Sequence, residues 1–152
     1  MEETLTGTSD VKAMADCLQA ALLGVEQTAL ANGASIKGLA RLSGGANMET
    51  WSFDWVRSAE TEPLILRRLP GQTRDVENAV GELTLKDEAA LIDIAGRYGV
   101  PVPVVRLVLR PEHALGQGYI MSRERGEALP FRLLADDCYR DARERLAFQC
   151  GQ

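Results

Sequence analysis

The spacing of apolar residues changes once in the first part of the chain. Over residues 11–25, apolar side chains recur every three or four positions, which is the period of one helix face. Ser9 and Asp10 are residue types that cap the start of a helix, and Gly33 is of the type that follows its end. The pattern therefore predicts an amphipathic helix that begins at Ser9 or Asp10 and ends by Gly33.

Three strand patterns follow the predicted helix. Residues 35–43 are the first, and residues 50–55 are the second, because aromatic and polar side chains alternate there. Residues 63–70 are the third, an apolar run between two prolines, and the polar residues 58–62 form the turn before it. We expect a hairpin with glycines in its turn, followed by a third strand.

The second half of the chain begins with another helical pattern, over residues 85–98, and Gly99 follows it. Residues 102–109 and 118–121 are the two strands of a second predicted hairpin, and a last helix runs from Ala135 to the end. The resulting prediction is an α+β fold. It has a five-stranded, mainly antiparallel sheet, one helix between strands three and four, and a helix at each end.

The composition argues against several classes of protein. The 152 residues make about one domain, and 45% hydrophobic with 26% charged residues is typical of a globular chain. A formal net charge of -5 argues against nucleic acid as a partner. The longest apolar run is far too short to span a bilayer, so we expect no membrane association and a cytoplasmic location.

Few residues are suited to metal binding or acid–base catalysis. Cys17, Cys138 and Cys150 are far apart, so they encode neither a disulfide framework nor a zinc knuckle, and we expect reduced, mostly buried thiols. The single histidine, His113, lies in a predicted turn between two strands, where a solvated side chain is expected. We therefore expect no metal site in this chain.

A glycine pair, Gly44 and Gly45, lies in the turn of the first predicted hairpin. A dinucleotide-binding fingerprint needs a helix after its glycines, and the Gly-Lys-Ser/Thr sequence of a P-loop is missing from the chain. A glycine flap between two strands is a third possibility, because backbone N–H groups without side chains around them can approach a polyphosphate closely. A plain hairpin turn is the alternative.

Charged residues interrupt two apolar surfaces after this hairpin. Strand alternation places Ile65 and Arg67 on one face of the third strand and Arg68 on the other. At about 100° per residue, Glu88 falls in the middle of the apolar arc of the second helix. The apolar members of that arc are Leu85, Leu91, Ile92 and Ala95. A carboxylate on a buried face needs a partner, and the strand offers Arg67 or Arg68. The alternatives are a purely structural ion pair, or a Glu88 that lies at the rim of the helix.

A glycine flap, a strand-borne cation and a helix-borne glutamate in this order resemble the upper lobe of a kinase. From about Ile36 onward, the chain resembles the N-terminal lobe of the aminoglycoside phosphotransferase (choline kinase-like) family. The segments that carry the resemblance are residues 41–53, residues 64–68, Glu88, residues 99–103 and residues 118–126.

This resemblance implies a protein-kinase-like N-lobe over residues 34–132, preceded by a helical segment, residues 1–33, and followed by the start of a C-lobe, residues 133–152. It implies ATP as the cofactor, with Arg67 in the place usually held by lysine and Arg68 as the alternative. Glu88 would orient this cation, and Ser122 to Glu124 would form the hinge that pairs with adenine. The implied nucleotide-binding residues are Gly44, Gly45, Ala46, Asn47, Ile65, Arg67, Glu88, Met121, Ser122, Arg123 and Glu124.

The catalytic loop of that family has a His-Gly-Asp-type motif, and a later aspartate binds magnesium. Here His113 is followed by Ala114 and Leu115, so we expect no catalytic or metal-binding residue in this chain, and Mg²⁺ only together with a C-terminal lobe. The expected function is nucleotide binding by a truncated phosphotransferase chain whose exposed lobe surface favours self-association. The alternatives are a non-catalytic kinase-like interaction module and an unrelated α+β domain with a structural Arg–Glu pair.

Overall fold

The computed structural model describes residues 7–26, 33–42, 48–58, 60–69, 83–126 and 130–151. The elements follow the predicted order, except that the C-terminal helix is divided in two. Their bounds are α1 Gly7–Val25, β1 Ser35–Leu42, β2 Glu49–Arg57, β3 Glu60–Leu69, α2 Leu85–Arg97, β4 Val105–Val108, β5 Gln117–Ser122, α3 Pro130–Ala135 and α4 Arg140–Cys150.

The first helix is the least accurately predicted of the long elements. It includes Ser9 and Asp10, which therefore do not stand before its start, and it ends at Val25, well before Gly33. The apolar period stops at Val25, and the next residue, Glu26, accepts a 2.8 Å hydrogen bond from Arg57 of β2. This contact holds the end of α1 against the sheet.

The described part of the chain forms one sheet of five strands in the order β1-β2-β3-β5-β4. Every neighbouring pair is antiparallel. α2 connects β3 to β4, and β4 and β5 form a hairpin. The predicted α+β architecture, with five strands and a helix between the third and fourth, is confirmed.

Two strand boundaries differ from the prediction because of prolines. β3 already begins at Glu60, so Pro63 lies inside the strand and not at its start, where the prediction placed it. Pro63 has no N–H, but this removes no hydrogen bond to β5, because the pairing of β3 with β5 begins at the next residue, Leu64. β4 is shorter than expected, because Pro103 has no N–H to donate and the N–H of Val104 donates to the Ser122 hydroxyl, at 2.9 Å.

One face of the sheet is covered by α1. Alternate residues of β2 and β3 point to this side, and the indole ring of Trp55 and the phenyl ring of Phe53 are fully buried there. The buried residues of this core are Leu18, Ala21, Leu22, Trp51, Phe53, Trp55, Leu64, Leu66, Leu107, Leu109, Leu115 and Ile120. Among the described residues, no helix is both long enough and apolar enough to cross a membrane.

The opposite face of the sheet carries α2. Leu85 and Ala89 of this helix pack against Tyr119 of β5, and all three side chains are buried. The partly buried residues around them are Met48, Ile92, Val105, Val108 and Met121. Because each face has its own helix, the two arginines of β3, Arg67 and Arg68, enter different environments.

The C-terminal region does not form the single helix that was predicted from Ala135. The Asp136 carboxylate accepts a 3.2 Å hydrogen bond from the N–H of Cys138, which opens a 3₁₀ turn between α3 and α4. Cys138 is exposed, contrary to the expectation of a buried thiol. Four large apolar side chains of this region, Phe131, Leu134, Leu146 and Phe148, are also exposed. None of these four belongs to either core cluster.

Candidate functional site

An ion pair joins β3 to α2 on the α2 side of the sheet. The Nε of Arg67 lies 3.2 Å from Oε1 of Glu88 and donates to Oε2 at 3.4 Å. The Arg67 side chain is 34% exposed and the Glu88 side chain 38% exposed. The two residues that sequence patterns selected therefore meet, at a place that a ligand from solvent can reach.

The start of α2 determines where Glu88 lies. Thr84 and Asp87 form a capping box, in which the Thr84 hydroxyl accepts from the N–H of Asp87 at 3.0 Å and the Asp87 carboxylate accepts from the N–H of Thr84 at 3.1 Å. The Thr84 hydroxyl also donates to the Asp87 carboxylate at 2.7 Å, and this hydrogen bond, together with the one from the Thr84 N–H, lowers the pKa of Asp87. The cap fixes the first helical residue, Leu85, so Glu88 is placed one turn later.

Glu88 lies at the edge of the buried helix face and not in its middle. Leu91, which was expected to be buried beside it, is 50% exposed, and the buried side chains of α2 are Leu85 and Ala89. The helix is therefore rotated relative to the arc drawn from the sequence. This rotation leaves the Glu88 carboxylate half-exposed. The alternative in which Glu88 lies at the rim of the helix therefore agrees with the structure.

Tyr119 is a third member of the site that sequence reasoning missed. Its hydroxyl donates to Oε1 of Glu88 at 3.0 Å, and in the sheet its Cα is the partner of Arg67. Burial raises the pKa of Tyr119 to about 12, aided by the hydrogen bond to Glu88 and its negative charge. The signal that could have found Tyr119 is the alternation in β5, but it becomes useful only once β5 is known to pair with β3.

Arg68 points to the other face and has different partners. It donates to Oε2 of Glu49 through Nη2 at 2.7 Å and through Nε at 2.9 Å, and to the carbonyl of Leu115 at 3.2 Å. Burial alone would raise the pKa of Glu49, but hydrogen bonds from Trp51 and Arg68 and the charges of Arg68 and Arg41 outweigh it and lower the pKa. Of the two arginines, Arg67 is therefore the partner of Glu88, and Arg68 belongs to a separate ion pair.

The residues of the expected flap, Gly44, Gly45, Ala46 and Asn47, lie outside the described residues. Their flanking strands are described: β1 and β2 form the predicted hairpin, in which Leu42 and Thr50 are Cα partners. Thr50 is also the Cα partner of Arg67. The last residue of β1, Leu42, and Thr50 of β2 therefore lie level with Arg67.

The two apolar site residues lie two positions along their strands from Arg67 and Tyr119. Ile65 and Met121 are Cα partners across β3 and β5, and strand alternation puts them on the same face as Arg67 and Tyr119. Ile65 is 8% exposed, and Met121 is partly buried against the α2 cluster. They form an apolar surface next to the charged one.

The expected hinge, Ser122 to Glu124, begins at the last residue of β5 and is tied to the sheet. The N–H of Ser122 donates to Val104 O at 2.9 Å, and the N–H of Arg123 donates to Pro63 O at 3.0 Å. The Ser122 hydroxyl donates to the Glu124 carboxylate at 2.6 Å. Two of the three backbone N–H groups are thus already used within the protein.

In the parts of the chain that the structure describes, no group of three or more histidine, cysteine, aspartate or glutamate side chains is arranged to hold a metal ion. Comparison of the chain with protein-family models, with curated proteins and with solved structures gave no match.

Proposed function

We propose that this chain binds ATP on the α2 side of its sheet, as the N-terminal lobe of a small-molecule phosphotransferase similar to the aminoglycoside phosphotransferases. One observation carries the proposal: Arg67 of β3 meets Glu88 of α2 level with Leu42, the last residue of β1, and with Thr50 of β2. In kinases, a β3 lysine paired with a glutamate of the following helix binds the nucleotide phosphates.

The chemistry of Arg67 suits phosphate. Glu88 engages the guanidinium through Nε, and the two Nη groups are the donors that we assign to phosphate oxygens. Arginine keeps the charge of the usual lysine and adds a planar pair of donors that matches phosphate geometry. The neighbouring apolar surface, Ile65 and Met121, is suited to the adenine ring.

The hinge contacts narrow the proposed adenine contact to one residue. Because Ser122 and Arg123 donate their N–H groups within the chain, we assign the N–H of Glu124 to adenine. Phosphoryl transfer lies beyond this role, since it needs a positioned base and a metal ligand, and His113 is not part of a His-Gly-Asp motif. In the whole phosphotransferase of which this chain would be the N-terminal lobe, the phosphoryl acceptor would be a small-molecule hydroxyl.

Calorimetric titration with ATP tests this function. Arg67→Met should weaken binding by about 10- to 100-fold, because a charge-assisted hydrogen bond contributes about 1.5 to 3 kcal/mol. Arg67→Lys should retain binding. Arg97→Met is the matched control, since Arg97 is an exposed residue of α2 that pairs with Asp93. Failure of the wild-type protein to bind ATP, or equal affinity of the Arg67→Met variant, would overturn the proposal.

A second function, that of a non-catalytic interaction module, is favoured by a different observation. Phe131, Leu134, Leu146 and Phe148 of α3 and α4 are 55% to 72% exposed. These residues lie on two helices that follow each other in the chain, and exposed apolar patches are typical of protein contacts. If the chain binds no ATP and associates through these residues, this second function replaces the first.

A further inference from the structure

We infer that Tyr119 is a positioning residue that holds α2 in the orientation in which Glu88 meets Arg67, before any nucleotide binds. This inference rests on the proposed ATP site. It is carried by a three-residue contact: the Tyr119 hydroxyl and the Arg67 Nε both approach Oε1 of Glu88, at 3.0 Å and 3.2 Å.

The ion pair alone is a weak constraint on the helix. Both side chains are more than one-third exposed, and ion pairs at such exposure contribute little because solvent screens them and the long side chains lose rotamer freedom. In kinases the helix that carries the glutamate moves, and its position controls activity. A contact that fixes Glu88 must therefore come from a more rigid group.

Tyr119 is such a group. Its side chain is 1% exposed, its ring packs against Leu85 and Ala89 of α2, and its strand is hydrogen-bonded on both sides, to β3 and to β4. Its hydroxyl therefore has a fixed position from which to donate to Glu88. Because burial raises the pKa of Tyr119 to about 12, the hydroxyl keeps its proton at neutral pH.

The hydrogen bond of Tyr119 affects ATP binding through the fraction of molecules in which Glu88 contacts Arg67. If only the orientation with Glu88 on Arg67 binds phosphate well, the apparent dissociation constant rises as the fraction of molecules in that orientation falls. Tyr119→Phe keeps the buried ring and removes only the hydrogen bond. We expect it to weaken ATP binding by about three- to tenfold, the effect of a single hydrogen bond.

Tyr98→Phe is the matched control, because Tyr98 lies at the C-terminal end of α2 with its side chain 86% exposed. It should leave the affinity for ATP unchanged. In a Glu88→Ala background, Tyr119→Phe should add no further loss, since Tyr119 acts through Glu88. Wild-type affinity in Tyr119→Phe, or an undiminished loss in the Glu88→Ala background, would overturn the inference.

Hydrogen exchange of the α2 backbone amides, measured without nucleotide, separates this inference from the proposed function. Tyr119→Phe should raise the exchange rates of α2 relative to wild type and to Tyr98→Phe, whereas rates in α1 should not change. Unchanged rates in α2 would refute the positioning role. Faster α2 exchange in a protein that binds no ATP would support the role of Tyr119 and refute the ATP site.

Discussion

Gly118 occupies a tight place in the sheet, next to the candidate site. It lies in β5 opposite Arg68 of β3. A Cβ atom added there would lie 2.9 Å from the Arg68 Cα and 3.0 Å from its Cβ, and nearer still to the carbonyl oxygen of Arg67. Carbon atoms in contact are about 3.5 to 4.0 Å apart. The main chains of β3 and β5 would therefore have to separate.

We expect Gly118→Ala to lower the free energy of unfolding by about 3 kcal/mol. Overpacking in a core costs about 1 to 3 kcal/mol, and the upper end applies because the opposing atoms are mainly backbone atoms of a central strand and not the end of a flexible side chain. Since native domains are stable by only about 5 to 15 kcal/mol, this loss is large.

Gly24→Ala is the matched control for the same chemical change. Gly24 lies in α1, and a Cβ atom there would have no neighbour within 4 Å. Alanine should stabilise the helix by about 0.5 kcal/mol, because glycine loses more backbone entropy on folding. Urea titrations followed by the fluorescence of the two buried tryptophans, Trp51 and Trp55, measure both variants. A Gly118→Ala variant as stable as wild type would refute the close packing of β3 and β5.

Three other residues give testable predictions. Glu49→Gln should cost about 1 to 3 kcal/mol at pH 7 by removing the charged partner of Arg68. Folding lowers the pKa of Glu49, so the variant should lose its full amount of stability above pH 4.5, the ordinary value of this pKa. The loss should shrink as the pH falls through the lowered pKa. A loss that does not change with pH in urea titrations would contradict this prediction. Glu26→Gln should cost about 1 to 2 kcal/mol in the same assay by weakening the contact between α1 and Arg57, and no loss would show that this contact does not hold the helix. Leu134→Glu should reduce concentration-dependent association in light scattering; unchanged association would exclude its exposed side chain as a contact.

The sequence was most informative where a charged residue interrupts an apolar pattern that has the period of a strand, two residues, or of a helix, 3.6 residues. Alternation in the third strand separates Arg67 from Arg68, and the helical period brings Glu88 toward the sheet. These are local rules, and local rules also predicted the order of the strands and helices along the chain. The predicted rotation of α2 about its axis was wrong. The side chains that pack beneath the helix determine which of its residues are buried, and the pattern of the helix itself does not show them.

Features that depend on strand pairing or on competing caps were not predictable in this way. The role of Tyr119 requires the adjacency of β3 and β5, two strands that are separated in the chain by α2 and β4. The break between α3 and α4 depends on the Asp136 side chain, which bonds the N–H of Cys138 and thereby opens a new turn. Aspartate near a helix start was expected from the sequence, but a second helix before it was not.

Backbone amide NMR during titration with ATP tests the central claim most directly, because it shows both whether the nucleotide binds and where. The site proposed from Arg67, Glu88 and Tyr119 predicts shift changes in β3 near Arg67, in the first turns of α2, in β5 and at residues 122–124. Amides of α1, on the other face of the sheet, should not shift. Shifts confined to the α1 face, or no shifts at millimolar ATP, would contradict the claim.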